Sequence, residues 1–140
     1  VKRLAGKIDR VLVDAPCSGL GTLRRNPDLK WRQSPEGVHE LALKQAAILA
    51  SAARLVKPGG RLVYATCSVL PEENETIAEA FTAAHPDFAP QDAGALLEQL
   101  KVAQAAELCS GGENGLRYLR LWPHLHQTDG FFAAVWERKA

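Results

Sequence analysis

Two segments of the chain each place a Cys-Ser pair directly after an apolar run. Residues 11–19 read VLVDAPCSG, and residues 62–68 read LVYATCS. A cysteine can act as a covalent nucleophile, and an acid beside it can bind a reacting group. Taken alone, either segment is explained equally well by a strand that ends in a turn with an unreactive cysteine. The repetition of the pattern favours chemistry at Asp14, Cys17 and Cys67.

The chain around these segments predicts a strand, a helix and a second strand in succession. Within the strand expected over residues 8–14, the unbroken apolar run of residues 11–13 favours a parallel strand buried on both faces. Residues 36–57 carry apolar side chains at helical spacing, with Ser34 as the helix cap and the Pro-Gly-Gly of residues 58–60 as its end. Residues 61–67 predict the next strand.

This order of elements predicts where the two cysteines lie. A strand-helix-strand unit forms a right-handed parallel crossover, so the two strands are expected to be neighbours. Ligands of open α/β sheets bind beyond the carboxyl ends of the strands. Residues 17–35 predict a long irregular loop, which is usually functional inside a compact domain. We therefore expect Cys17 and Cys67 to leave the sheet at the same edge and to face one crevice.

The remainder of the chain predicts further elements of an α/β domain. A helix is expected from Pro71, with Glu73 among the acids of its first turn, where the helix dipole favours negative charge. His124 and His126 flank a loop on the crevice side and are weaker candidates for bases. The other predicted elements are a helix at residues 92–106 and strands at 88–90, 116–122 and 131–136.

The composition sets broad limits on class. A length of 140 residues suits one domain, and 46% hydrophobic content is enough for a globular core. The net charge of +1 is uninformative, so only local clustering can indicate nucleic-acid binding. No apolar run reaches membrane-spanning length, and no signal peptide opens the chain. Three cysteines without disulfide-scaffold or metal-finger spacing are typical of a reducing, cytoplasmic compartment.

A basic segment follows the first cysteine. Four cations and a single acid surround Trp31, a composition that suits a nucleic-acid strand because cations bind phosphates and aromatic rings stack on bases. An ordinary solvated loop explains the charge equally well, but the position directly after Cys17 favours binding. The cations are Arg24, Arg25, Lys30 and Arg32.

Other site types fit the sequence less well. Gly19-Leu20-Gly21 lacks the third glycine of a dinucleotide-binding loop and does not open a helix. Six residues separate Cys17 from Arg24, which is not the spacing of cysteine phosphatases. No pair among Cys17, Cys67 and Cys109 has metal-ligand spacing, and Cys109 is expected to be an incidental loop residue.

Four motifs in order resemble the Sun/Fmu (RsmB-like) family of RNA cytosine-5 methyltransferases. DAPCSG at residues 14–19 resembles the first cysteine motif of the family, and RRNPDLKW at 24–31 resembles the basic loop that follows it. YATCS at 64–68, with PEENE at 71–75, resembles the second cysteine motif. DGFF at 129–132 resembles the motif before the last strand. The resemblance covers nearly the whole chain.

This resemblance implies a methyltransferase that uses S-adenosylmethionine and two thiols. Cys67 is the implied nucleophile, which adds to carbon 6 of cytosine so that carbon 5 can attack the methyl group. Cys17 is implied to assist the later elimination. Asp14 is implied to contact both the cytosine ring and the cofactor, with Pro16 also in the cofactor site. The basic loop after Cys17 is implied to bind RNA, expected to be ribosomal RNA.

The implied fold is the C-terminal half of a Rossmann-like methyltransferase sheet, with parallel strands, crossover helices and an antiparallel final strand. The family's glycine-rich cofactor loop and the acids ending the next two strands have no counterpart here. The chain also lacks methionine and opens at Val1, close to a core strand. Residues 1–140 are therefore expected to be the C-terminal part of one catalytic domain, inactive alone.

Several alternatives remain open at this point. A non-catalytic RNA-binding domain could use the same basic loop, and a redox or metal role for the thiols is a third option. The expected protein is cytoplasmic, without membrane or metal partners. The sequence specifies neither the target nucleotide nor the oligomeric state, and only the family resemblance distinguishes the attacking cysteine from its partner.

Overall fold

A six-stranded mixed sheet organises the chain, in a computed structural model that describes residues 2–140. The strand order is β1-β2-β6-β5-β4, and β3 pairs with the other end of β6. Strands β1 and β2 are parallel, and all other pairs among these six strands are antiparallel. The strands are β1 (Ile8–Asp14), β2 (Val56–Thr66), β3 (Phe88–Gln91), β4 (Cys109–Ser110), β5 (Tyr118–Leu121) and β6 (Phe131–Arg138).

Helices connect these strands, and the longest is the predicted crossover between β1 and β2. The Gly37 N–H donates to Ser34 Oγ at 3.0 Å, which confirms Ser34 as the cap of this helix. The helices are α1 (Leu29–Arg32), α2 (Pro35–Ala53), α3 (Glu75–Ala84), α4 (Ala93–Gln99) and α5 (Pro123–His126), with 3-10 turns at Leu20–Thr22 and Pro71–Glu73.

The predicted end of α2 at the Pro-Gly-Gly of residues 58–60 is wrong. The helix ends at Ala53, and β2 begins at Val56. The pairing of β1 with β2 then skips from Val56 to Arg61, so that residues 57–60 bulge out of the ladder. Gly59 adopts a φ of 75°, which glycine accepts without strain. Strand β2 thus begins before the Pro-Gly-Gly, and not after it as the sequence predicted.

Two other predicted boundaries also differ from the structure. The helix expected over residues 92–106 stops at Gln99, because Lys101 and Gln104 adopt left-handed backbone conformations with φ of 59° and 57°. The loop expected over residues 17–35 contains the 3-10 turn at Leu20–Thr22 and helix α1. Neither element has enough apolar periodicity to be recognised from its own sequence.

The main core lies on one face of the sheet, beneath α2 and α3. Leu49, Tyr64, Phe81 and Trp136 are all nearly or completely buried there. On the opposite face of β1, Leu12 is 67% exposed. The expectation that β1 is buried on both faces is therefore wrong for residues 2–140, because β1 is an edge strand and no described element covers its second face.

None of the helices in residues 2–140 is both long enough and apolar enough to span a membrane.

Candidate active site

Two cysteine side chains meet beyond the carboxyl ends of β1 and β2. The Sγ atoms of Cys17 and Cys67 lie 3.4 Å apart, and both residues are partly buried. The parallel register continues past β1, since the Ala15 N–H donates to the Ala65 carbonyl oxygen at 2.9 Å. The expectation that the two cysteines leave the sheet at the same edge and lie together is confirmed.

The environment of Cys17 favours its protonated form. Burial raises the pKa of the Cys17 thiol, and the contact with Cys67 raises this pKa further. The thiolate is the nucleophilic form of cysteine, so a thiol that stays protonated at neutral pH is a poor attacking group. Cys17 is suited to donating a hydrogen bond to the neighbouring sulfur. Its sequence carries no signal of this property, because both cysteines occur in similar strand-end segments.

A buried carboxylate lies behind the thiols. Glu73 is fully buried, and its Oε1 accepts hydrogen bonds from the Ser18 N–H at 2.7 Å and from Gln45 Nε2 at 3.2 Å. Its Oε2 accepts from Ser18 Oγ at 2.7 Å and from Ser68 Oγ. Helix-dipole reasoning placed Glu73 among the acids of a first helical turn and did not predict this burial. Its position a few residues after the second Cys-Ser pair was the sequence feature that could have indicated a place near the thiols.

Asp14 and Pro16 lie at the end of the edge strand. The Asp14 carboxylate is exposed and makes no hydrogen bond or ion pair with any other residue in the described range 2–140. Pro16 is also exposed, and its carbonyl oxygen accepts a hydrogen bond from Gln45 Nε2 at 2.9 Å. The carboxylate is thus free to accept hydrogen bonds from a ligand beside the two thiols.

The basic segment is held by acidic partners. Arg24 and Arg25 both bind Asp129, at 2.8 Å and 2.6 Å, and remain half-exposed or more. This pairing lowers the pKa of the Asp129 carboxyl, with the hydrogen bond from Arg25 as the largest cause. The remaining predicted cations make local contacts: the Lys30 ammonium lies 5.0 Å from the Trp31 ring centroid, and Arg32 pairs with Asp28 at 2.6 Å.

Backbone hydrogen bonds join the turn that precedes the basic segment to the second cysteine. The Gly21 N–H donates to the Cys67 carbonyl oxygen at 2.9 Å, and the Gly130 N–H donates to the Gly21 carbonyl oxygen at 2.7 Å. A Cβ on Gly21 would lie 2.5 Å from the carbonyl oxygens of both Cys67 and Gly130. Only glycine fits at this point, where the turns after β1 and β2 meet the turn before β6.

The other candidates lie outside this cluster. His126 accepts a hydrogen bond from the Trp122 N–H at 2.9 Å and contacts the Glu107 carbonyl oxygen at 2.8 Å, so its ring holds a loop together. His124 is exposed beside Trp122. Cys109 is buried in β4, which corrects its expected place in a loop. Residues 2–140 contain no group of three or more histidine, cysteine, aspartate or glutamate side chains arranged to hold a metal ion.

Comparison with protein families and curated sequences gives a consistent result. The sequence model described as 16S rRNA methyltransferase RsmB/F matches residues 1–137. A probable ribosomal RNA small subunit methyltransferase B from Synechocystis sp. is 45% identical over 127 residues, which cover 91% of this chain and 26% of that protein. The protein of the same description from Bacillus subtilis is 41% identical over 133 residues, covering 95% and 28%. The chain spans about a quarter of the length of these relatives.

Solved structures show the same fold. PH0851 superposes with a TM-score of 0.79 at 40% identity, covering 96% of this chain and 27% of PH0851. NSun6 from Pyrococcus horikoshii, solved with SFG, superposes with a TM-score of 0.68 at 28% identity, covering 92% of this chain and 29% of NSun6. The mixed sheet with its parallel β1–β2 pair is thus the sheet of methyltransferase structures.

Proposed function

Because the chain belongs to the 16S rRNA methyltransferase RsmB/F family, we propose that it supplies the catalytic thiols of an enzyme that methylates carbon 5 of cytosine in ribosomal RNA. The proposal is carried by one observation, the 3.4 Å approach of Cys17 and Cys67 Sγ beyond the ends of two parallel strands. Two thiols at this distance can divide covalent attack and release between them.

In the proposed reaction, Cys67 attacks the base. Its thiolate adds to carbon 6 of cytosine, a carbon–sulfur bond forms, and the electron pair of the 5,6 double bond becomes available at carbon 5. Carbon 5 then forms a bond to the donor's methyl carbon, and the bond between that carbon and the donor's sulfonium sulfur would break with its electron pair left on that sulfur.

Cys17 assists the release of the product. The proton on carbon 5 passes to water, the 5,6 double bond forms again, and the carbon 6–sulfur bond breaks with its electrons returning to Cys67. Cys17 remains protonated because burial and its neighbour raise its pKa. Its thiol can therefore donate a hydrogen bond to the departing sulfur, which lies 3.4 Å away.

S-adenosylmethionine, when bound, supplies an electrophilic methyl group to this site. SFG, found in the related NSun6 structure, is an analogue of S-adenosylmethionine, which supports the same donor here. The exposed, unpaired carboxylate of Asp14 fits a ligand with amine or hydroxyl donors, and Pro16 lies exposed beside it. Asp14 thus accepts hydrogen bonds from the cofactor and from the amino group of cytosine, at the junction of the two.

Residues 1–140 form the C-terminal part of a larger catalytic domain in this proposal. The 67% exposure of Leu12 on edge strand β1 supports it, because an upstream strand on that edge would be accompanied by cover for this face. The chain also covers only 26% and 28% of two curated relatives. The remaining contacts to S-adenosylmethionine come from the preceding half, and the chain alone does not transfer methyl groups.

The RNA strand binds along the basic segment after Cys17. Arg24, Arg25, Lys30 and Arg32 carry the phosphate contacts, and exposed Trp31 offers a stacking surface. The three free cysteines suit a reducing cytoplasm, where ribosomes are made.

The division of labour between the thiols is tested by substitution in the full-length enzyme. Cys67→Ala should abolish methyl transfer, because no sulfur then adds to carbon 6. Cys17→Ala should allow attack but slow release, so that a covalent RNA–protein adduct survives on a denaturing gel. Activity retained in Cys67→Ala but lost in Cys17→Ala would reverse the two roles. Absence of the adduct in Cys17→Ala would contradict its role in release.

A second candidate is a non-catalytic RNA-binding domain that uses the same four cations. The exposure of Arg24 and Arg25 beside Asp129 favours it as an alternative. Salt-dependent RNA binding by the full-length protein without transfer of a labelled methyl group to any cytosine would support this alternative over the enzyme.

A further inference from the structure

The buried carboxylate of Glu73 has no cation among residues 2–140 as an ion-pair partner. Burial of an ionised group is costly unless hydrogen bonds offset the loss of water. Glu73 meets this requirement with four neutral donors, supplied by Ser18, Ser68 and Gln45. An apolar residue could fill the same space without needing hydrogen bonds. The presence of a carboxylate here is therefore better explained by the groups that it binds.

Those groups belong to the two cysteine turns. Ser18 directly follows Cys17 and is bound to Glu73 through both its N–H and its hydroxyl. Ser68 directly follows Cys67 and is bound through its hydroxyl. One carboxylate therefore joins the residues next to both reactive sulfurs, which are separated by 50 positions in sequence.

Gln45 adds a third element to this connection. Its Nε2 group donates to Glu73 Oε1 at 3.2 Å and to the Pro16 carbonyl oxygen at 2.9 Å. Because Gln45 lies on α2 and is completely buried, the turn that contains Cys17 is attached to the long crossover helix as well as to Glu73.

The backbone that carries Glu73 is itself fixed to the second cysteine turn. The Tyr64 hydroxyl donates to the Glu73 carbonyl oxygen at 2.6 Å. Asn74 donates through Nδ2 to the Ser68 carbonyl oxygen at 2.9 Å and accepts from Thr66 Oγ1 at 2.5 Å. The backbone of Glu73 is thus held at the end of β2, while its carboxylate binds Ser18 in the turn after β1.

We propose that Glu73 is a positioning residue that sets the Cys17–Cys67 sulfur spacing by binding Ser18 and Ser68 at the same time. This inference rests on the proposed function for its catalytic consequence, and the spacing itself is measurable without catalysis. Among residues 2–140, the hydrogen-bond partners of the Glu73 carboxylate are Ser18, Gln45 and Ser68 and include neither thiol, so it acts through the two serines.

The donor pattern predicts which substitutions Glu73 tolerates. Oε1 receives two N–H groups, which can only donate, whereas Oε2 receives two hydroxyls, which can also accept. A glutamine amide can keep its oxygen toward the N–H groups and turn its NH2 toward the hydroxyls. Aspartate keeps the charge but is one methylene shorter, so it cannot reach both turns.

The first measurement follows the kinetics of Glu73→Gln, Glu73→Asp and Glu73→Ala in the full-length enzyme, with thermal unfolding as a check on folding. Glu73→Gln should stay close to wild type. Glu73→Asp and Glu73→Ala should lower kcat by about 100-fold, the cost of misplacing reacting groups by roughly 1 Å, while KM for RNA stays unchanged. Glu72→Asp provides the matched control, because Glu72 lies on the same turn but is exposed.

The second measurement needs no methyl transfer. Diamide oxidises two adjacent thiols to a disulfide while it is reduced to the hydrazine, and peptide mass spectrometry reports the Cys17–Cys67 cross-link. Cross-linking should be as fast in Glu73→Gln as in wild type and slower in Glu73→Asp, whatever reaction the enzyme catalyses. Because this readout is independent of activity, its failure is distinguishable from failure of the proposed function.

Two results would overturn the inference. Wild-type kcat and cross-linking in Glu73→Asp would show that the sulfur spacing does not depend on the reach of the side chain. Equal losses in Glu73→Gln and Glu73→Ala, in proteins that melt at the wild-type temperature, would show that charge matters rather than the bridging hydrogen bonds.

Discussion

At the scale of single residues, the surroundings of Cys17 determine its protonation. Burial and the neighbouring Cys67 raise the pKa of the Cys17 thiol, which favours its protonated form. Asp129 holds Arg25 in place at 2.6 Å, so an RNA phosphate bound there, as proposed, would meet a guanidinium that is already oriented.

Substitution of Arg25 should therefore weaken RNA binding in a salt-dependent way. In the full-length protein, Arg25→Ala should reduce the slope of log K against log salt concentration by about 1, the effect of losing one phosphate contact. Filter binding across a salt series measures this slope. Lys44→Ala, on the exposed side of α2, is the matched control and should leave the slope unchanged. If the slope for Arg25→Ala equals that of wild type, Arg25 does not contact an RNA phosphate.

At the scale of elements, polar contacts between turns hold the sheet ends together. Gly21 joins the turn after β1 to the end of β2 and to the turn before β6, where no Cβ fits. At the other side of the molecule, Asp92 caps α4 through the Ala95 N–H at 3.1 Å and binds Arg117, just before β5, at 2.7 Å.

The Asp92–Arg117 contact predicts a pH dependence of stability. Arg117 is the main reason that the pKa of Asp92 falls from 3.8 to about 2. A lowered folded-state pKa stabilises the fold above the ordinary pKa, and this contribution is lost as pH falls from about 5 towards 2. Asp92→Asn keeps the cap oxygen but removes the charge, so it should cost about 1 kcal/mol at pH 7 after solvent screening of the pair, and progressively less towards pH 2.

Urea unfolding of both proteins between pH 7 and pH 3 measures this difference. Asp28→Asn is the control, because the Asp28–Arg32 pair is more than 60% exposed on both sides and should contribute little. A difference between wild type and Asp92→Asn that stays constant down to pH 3 would show that the charge of Asp92 does not stabilise the fold.

At the scale of the whole molecule, the sheet has one covered face and one open edge. The core of Leu49, Tyr64 and Trp136 is buried beneath the helices, yet Leu12 on β1 is 67% exposed. The unpaired backbone groups of an exposed edge strand are a template for further pairing. In the proposed longer domain, the preceding half extends the sheet from β1 and covers Leu12, and the same junction completes the cofactor site beside Asp14.

This arrangement is tested by placing a charge on the exposed face. In the full-length protein, Leu12→Asp should lower the melting temperature by several degrees, because the carboxylate would be buried against the added half. Leu100→Asp is the matched control, since Leu100 is 71% exposed at the end of α4. Calorimetry of the three proteins makes the comparison. Equal melting temperatures for Leu12→Asp and Leu100→Asp would contradict burial of β1 by an upstream segment.

The sequence by itself was sufficient for the features that depend on neighbouring residues. Apolar runs predicted β1 and β2, Ser34 predicted the helix start, and the strand-helix-strand order placed Cys17 and Cys67 in one crevice. Such signals are local, or follow from the fixed handedness of a parallel crossover. The motifs around the two cysteines also indicated the family correctly.

Only the tertiary structure decided the features that depend on distant partners. In sequence, Glu73 is one of several acids at a predicted helix start, yet it is buried because Ser18 and Gln45 approach it from other elements. The glycines after α2 suggested a helix end, but they lie in a bulge of β2 because the pairing with β1 skips residues 57–60. Burial and hydrogen-bond satisfaction are properties of assembled elements, so no window of neighbouring residues contains them.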